Sequence, residues 1–171
     1  MKNASRLHPT LRALLGVVVS TTFACGGAPS SGASSASGGS SGGGAAGACL
    51  AAADAKHTRN PSEPDRISVK HVLVRYDGAK NAPAAITRTR EQACLRAEEA
   101  LTKLKEGMSF ADVVAAYSDE SGAATREGSI GTVERADVAP PFADAAFELK
   151  MKEVSEVVET PFGFHVILRV E

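Results

Sequence analysis

An α+β domain built on an antiparallel sheet is predicted from three patterns that follow one another in residues 66–171 of this 171-residue chain. An alternating apolar strand comes first and helical repeats fill the middle. Two strand-like runs parted by Pro161-Phe162-Gly163 close the chain, as a hairpin does. Strand, helices and hairpin in that order place helices around one antiparallel sheet.

The elements before the domain have a different character. Lys2, Arg6 and Arg12 are the only basic residues ahead of Lys56, and no Asp or Glu precedes Asp54. The apolar run Ala13 to Val19 and the smaller residues leading to Ala24 complete the positive, apolar and small-residue regions of an export signal over residues 1–24. That run is too short to span a bilayer. Cys25 then has two readings. Following Ala24, it fits a lipoprotein signal, cut just before a cysteine that becomes lipidated; the other reading is a soluble exported protein with a free thiol. In the lipoprotein reading, Gly26 stands where an aspartate favours inner-membrane retention, so the expected place is the outer membrane, facing the periplasm.

Residues 25–65 read as a flexible linker. From Cys25 to Ala48 every residue other than Cys25 and Pro29 is Gly, Ala or Ser, too little apolar bulk to offset chain entropy. Residues 66–171 are long enough for one hydrophobic core. Their 14 basic and 17 acidic residues form no basic block or stripe, which argues against nucleic-acid binding. Cys49 and Cys94 show neither metal-ligand spacing nor a disulfide framework, and Cys94 is expected to pack as a small apolar residue.

Within the domain, Ser68 to Arg75 alternates, with Val69, His71 and Leu73 on one face and Val72 and Val74 on the other. Thr89-Arg-Glu-Gln92 has capping-box spacing, and Ala93, Ala97, Leu101 and Leu104 recur at helical intervals until Gly107. Phe110, Val113, Val114 and Tyr117 make the stripe of a second helix starting at Ser109. Pro140-Pro141 begins a short third helix carrying Phe142, Ala146 and Leu149. Val154 to Thr160 and Phe164 to Val170 are the closing strands.

Several motifs in this frame resemble the parvulin-type peptidyl-prolyl isomerases. They are Val69-Lys70-His71-Val72-Leu73-Val74, Tyr117-Ser118-Asp119-Glu120, Gly128-Ser129-Ile130-Gly131, Phe142 to Phe147, and Thr160-Pro-Phe162-Gly163-Phe164-His165, all in the family's order. The resemblance implies a four-stranded antiparallel sheet surrounded by helices and rotation of X-Pro bonds without cofactor or metal. It implies assistance to exported proteins, with proline-containing unfolded or extended polypeptides as partners. Ile130, Val138 and Phe142 match the apolar proline-binding positions, although Val138 replaces a frequent methionine and Ala139 a frequent glutamine.

His71 and His165 match the family's paired histidines, thought to lie side by side and fix each other's tautomers, with Thr160 in the same network. A structural role for the pair competes with proton transfer, and a zinc site lacks a convincing third ligand. Glu120 stands where catalytic members usually carry cysteine or aspartate facing the substrate carbonyl. Its extra methylene alters the reach of the carboxylate, and a register shift would present Asp119 instead. Arg75 and Lys80, after the first strand, either meet an acidic or phosphorylated residue before proline or are merely solvated. The resemblance therefore implies an isomerase, with a turnover-deficient, chaperone-like peptide binder as the alternative and a scaffold lipoprotein as a third reading.

Overall fold

The computed structural model describes residues 41–59 and 61–171, so the signal segment, Cys25 and most of the glycine-rich stretch lie outside the described residues. The elements are α1 (Ser41–Ala53), β1 (Arg66–Val74), α2 (Arg90–Lys105), α3 (Phe110–Tyr117), β2 (Ser129–Glu134), a 3-10 turn (Arg135–Asp137), α4 (Pro140–Glu148), β3 (Val158–Thr160) and β4 (Gly163–Arg169). The strands form one antiparallel sheet in the order β2-β1-β4-β3. The expected four-stranded α+β architecture is present.

The alternation of β1 divides the core. Val72 and Val74 join Phe164 and Val166 of β4 under α2 and α3. Ile67 and Val69 point the other way, and with Val133, Val158 and Ile167 they pack against Phe142, Ala146 and Phe147 of α4. His71 and Leu73 share that second face by the period of two. Both expected helix starts are capped: Thr89 forms the full capping box with Gln92, and Ser109 accepts from the Asp112 backbone N–H. Pro140 and Pro141 occupy the first turn of α4.

Three expectations need correction. The linker does not extend to residue 65, because α1 spans Ser41–Ala53 and packs on α2. Among its described side chains Ala46, Cys49 and Ala53 are buried; Cys49 and Ala53 share a cluster with Ala93, Ala97 and Ala100 of α2, and Leu50 packs against it. Cys94 is buried but is not a free thiol, since it forms a disulfide with Cys49, with Cα atoms 6.0 Å apart. The first closing strand is shorter than Val154 to Thr160. The Ser155 hydroxyl accepts the Ile167 backbone N–H at 2.9 Å in place of a main-chain carbonyl. Regular pairing of β3 with β4 therefore begins only at Val158. No described helix is long and apolar enough to cross a membrane.

Candidate functional site

The two histidines come together because of register. Leu73 of β1 faces His165 of β4, and His71 faces Ile167, so the imidazoles are diagonal neighbours on one face of the central strand pair. Both are buried, with rings 5.3 Å apart and nearly parallel, and their Nδ1 atoms lie 3.2 Å from each other. Two glycines permit this. Gly128, at φ +74°, accepts the His71 N–H at its carbonyl, and a Cβ there would sit 2.5 Å from the His71 carbonyl oxygen. Gly163, at φ +134°, passes close to the backbone of Val74 at the start of β4.

The hydrogen-bond roles follow from one end of the network. The Phe162 backbone N–H donates to Thr160 Oγ1 at 3.1 Å; of the two acceptors in reach of the hydroxyl proton, His165 Nε2 at 2.7 Å is far closer than the Gly163 carbonyl at 3.5 Å, which assigns that proton to His165. Burial, reinforced by His71 and Arg75, pushes His165 well below the ordinary histidine range, so its imidazole is neutral. Its single proton lies on Nδ1 and is donated to His71 Nδ1. His71 then donates from Nε2 to Glu120 Oε2 at 2.9 Å. That bond holds the Glu120 carboxyl below the usual carboxylate range against the effect of partial burial, and Arg126 lowers it further. Every donor from Phe162 to His71 points the same way, toward one carboxylate.

The position of Glu120 is fixed by its two predecessors. Ser118 Oγ accepts the Leu73 N–H, the Asp119 N–H donates to the Leu73 carbonyl, and Asp119 Oδ2 accepts the Arg75 N–H at 2.8 Å while pairing with Arg88. Asp119 is thereby consumed in docking the end of α3 onto β1. The next side chain, Glu120, faces His71, so the alternative that presents Asp119 does not occur.

Phe142 stands edge-on to both imidazoles, at 5.7 Å from His71 and 5.3 Å from His165. A cleft of about 330 Å3 opens above these three rings. Ile130, Val138, Ala139, Leu73 and Phe162 supply apolar wall, and Glu120, Thr160 and Arg75 supply polar groups. Of the residues expected to catalyse or bind, His71, Glu120, His165, Thr160, Ile130, Val138, Phe142 and Arg75 line this cleft; Asp119 does not, and Lys80 is exposed with its ammonium 5.1 Å from the Phe162 ring centre. Sequence reasoning missed Asn81 and Asp137 on the rim and Arg126 behind Glu120. No spacing signal marks them, because each reaches the site through an irregular turn. Among the described residues no three His, Cys, Asp or Glu side chains converge as a metal site.

An apolar cleft floored by an aromatic ring and two hydrogen-bonded imidazoles, on the central strands of this α+β sheet, defines a parvulin-like rotamase domain. Residues 55–171 match the family model described as the PPIC-type PPIASE domain, and the chain belongs to that family. The foldase protein PrsA of Halalkalibacterium halodurans is 40% identical over 72 residues, covering 42% of this chain and 22% of that protein. The chaperone SurA of Alkalilimnicola ehrlichii is 33% identical over 98 residues, covering 57% of this chain and 21% of that protein. The matches thus span about a fifth of the length of these two relatives. The solved structure of the peptidyl-prolyl isomerase ESS1 from Candida albicans superimposes with a TM-score of 0.59 at 27% identity, over 67% of this chain and 66% of that one.

Proposed function

We propose that this protein is a peptidyl-prolyl cis-trans isomerase that turns X-Pro bonds in unfolded or extended polypeptides during the folding of exported proteins. The observation that carries the reading is the directed network from Thr160 through His165 and His71 to Glu120, on the wall of a cleft floored by Phe142.

The reaction needs no bond to be broken. Its barrier of about 18–20 kcal/mol is the cost of losing amide resonance. The planar imide is the more dipolar form, with negative charge on oxygen and positive charge on nitrogen, and twisting returns that charge. A cleft lined by Phe142, Ile130, Val138 and Leu73 desolvates the planar form and so favours the twisted one. A carboxylate at Glu120 facing the carbonyl oxygen raises the planar form further, and the histidines hold that carboxylate in place. In this scheme Glu120 is the catalytic residue, while His71, His165 and Thr160 position it. Ile130, Val138 and Phe142 hold the proline ring, and Arg75 meets the residue before it. Lys80 contributes at most long-range charge, given its exposed position.

Exchange NMR on X-Pro tetrapeptides carrying Glu, Leu or phosphoserine before proline tests this directly. Acceleration is expected, falling about tenfold or more in Phe142→Leu, since a smaller floor leaves the proline ring poorly held. A preference for Glu over Leu that vanishes in Arg75→Ala would assign Arg75 its role. Peptide binding with no acceleration favours the chaperone-like binder, a reading that rests on Glu120 having its charge already paired with Arg126.

The same proposal places the protein in the cell envelope, lipidated at Cys25 and held at the outer membrane facing the periplasm. The Cys49–Cys94 disulfide supports an oxidising compartment. Metabolic labelling with a radioactive fatty acid, lost in Cys25→Ala, is the expected result; label retained in that variant rules the anchor out.

A further inference from the structure

The proposed reaction gives no role to two charged groups beside the cleft, Asp137, which caps the Glu134 backbone N–H, and Arg126, which touches Glu120. Arg126 lies in the segment between α3 and β2, and its guanidinium bonds to Glu120 through the Oε2 atom that also accepts from His71. A second guanidinium nitrogen donates to the Ser121 carbonyl at 3.1 Å, so the arginine closes a small ring over the segment that carries Glu120. Gly122, at φ +72°, supplies the left-handed backbone of this segment, and a Cβ there would only touch Arg126 Nη1, at 3.4 Å. The far end of the segment is fixed independently. Gly128 packs on the His71 backbone, and Glu127 pairs with Lys70 at 2.7 Å.

The carboxylate therefore has two donors on one oxygen. Oε1 has no protein donor among the described residues, and Glu120 borders the cleft. A glutamate has one more rotatable bond than an aspartate, and a loose carboxylate at this position would spend much of its time out of line with a bound carbonyl. His71 alone leaves that torsion free to swing about a single hydrogen bond. Donors converging from the sheet and from the loop remove the swing.

We propose that Arg126 is a positioning residue for the isomerase reaction: it clamps Oε2 of Glu120 against His71, so that Oε1 is the oxygen presented to the substrate imide. The longer acid is thereby held as steadily as a shorter one. This rests on the isomerase reading above, and the arms of the test separate the two.

The test measures exchange kinetics on the full exported chain for the wild type, Arg126→Ala, Arg126→Lys, Glu120→Gln and the Arg126→Ala/Glu120→Gln pair. The Glu120 carboxyl carbon is followed by NMR as pH is varied. The clamp predicts that Arg126→Ala lowers kcat about tenfold with KM within about twofold, that lysine recovers part of the loss, and that the loss disappears when Glu120 is already Gln. It also predicts that the Glu120 carboxyl titrates at higher pH in Arg126→Ala. An equal loss in the Gln background means that Arg126 only staples the loop through Ser121, and it overturns the proposal. If the wild type does not accelerate exchange, the isomerase reading fails, and the carboxyl titration alone decides the clamp. A midpoint unmoved by Arg126→Ala rejects it there too.

Discussion

Removing the Cys49–Cys94 bond should unfasten α1 and lower the stability of the whole domain. The bond closes a loop across a sequence separation of 45 residues. Chain-entropy arithmetic for such a loop gives roughly 13 cal/mol/K withdrawn from the unfolded state, or about 4 kcal/mol at 25 °C. Side-chain burial offers little to replace it, because among the described side chains α1 contributes only Ala46, Cys49 and Ala53 to the buried core, with Leu50 at its margin. For a domain of this size that loss lowers the melting midpoint by roughly 12–20 °C. Thermal unfolding of wild type, with and without reductant, and of Cys49→Ala/Cys94→Ala measures it, and limited proteolysis near residue 54 reports α1 separately. Midpoints agreeing within about 3 °C in all three samples would refute the reasoning, since the entropy of a loop this long cannot then be part of the stability.

Four further outcomes are expected. His165 has its native pKa below the unfolded value, so the unfolded chain binds the extra proton; stability is complete above about pH 6.5 and falls by about 1.4 kcal/mol per pH unit below it. Urea midpoints from pH 7.5 to 5 check the slope, and a flat profile contradicts it. Glu120 adds a further loss only at lower pH, as acid falls from its ordinary value of 4.5 through its depressed native one. Thr160→Val strands His165 Nε2 in the core and costs about 2 kcal/mol, with nitrogen NMR showing the His165 tautomer no longer fixed. Gly128→Ala forces a methyl to 2.5 Å from the His71 carbonyl oxygen and 2.7 Å from Val114 at a positive φ, at a cost of about 3 kcal/mol or more; unchanged stability would mean that the turn at Gly128 can draw back from β1.

Much of the site was readable because its residues sit on regular elements. The period of two put His71 and Leu73 on one face, and the proline pair announced the helix that brings Phe142 beneath them. What escaped depends on distance and not on pattern. The α1 sequence has no amphipathic repeat, since its buried face is alanine and cysteine on a background of glycine, so nothing separates it from spacer until the Cys94 partner is in view. Ser155 looked like a strand residue, yet its hydroxyl competes for a ladder N–H and delays β3. The choice between Asp119 and Glu120 turned on which side chain the Arg75 N–H and Arg88 would claim. The resemblance motifs located β2 only as a glycine-rich string, because its side chains are mostly exposed and leave no alternation to read.

The strand order has a consequence for the proposed isomerase. His71 and His165 belong to β1 and β4, the two inner strands, each with a strand on either side, and their amides should exchange with solvent only when the whole domain opens. The turn bearing Arg75 and Asn81 follows the end of β1, the segment from Ser121 to Glu127 joins α3 to the edge strand β2, and such irregular segments open at lower cost. On the proposed function, accommodation of different residues around proline falls to the margins of the cleft, while its floor stays the same for every peptide. Hydrogen exchange that slows at the two margins on peptide binding, and stays unchanged at the histidines, is the corresponding signature.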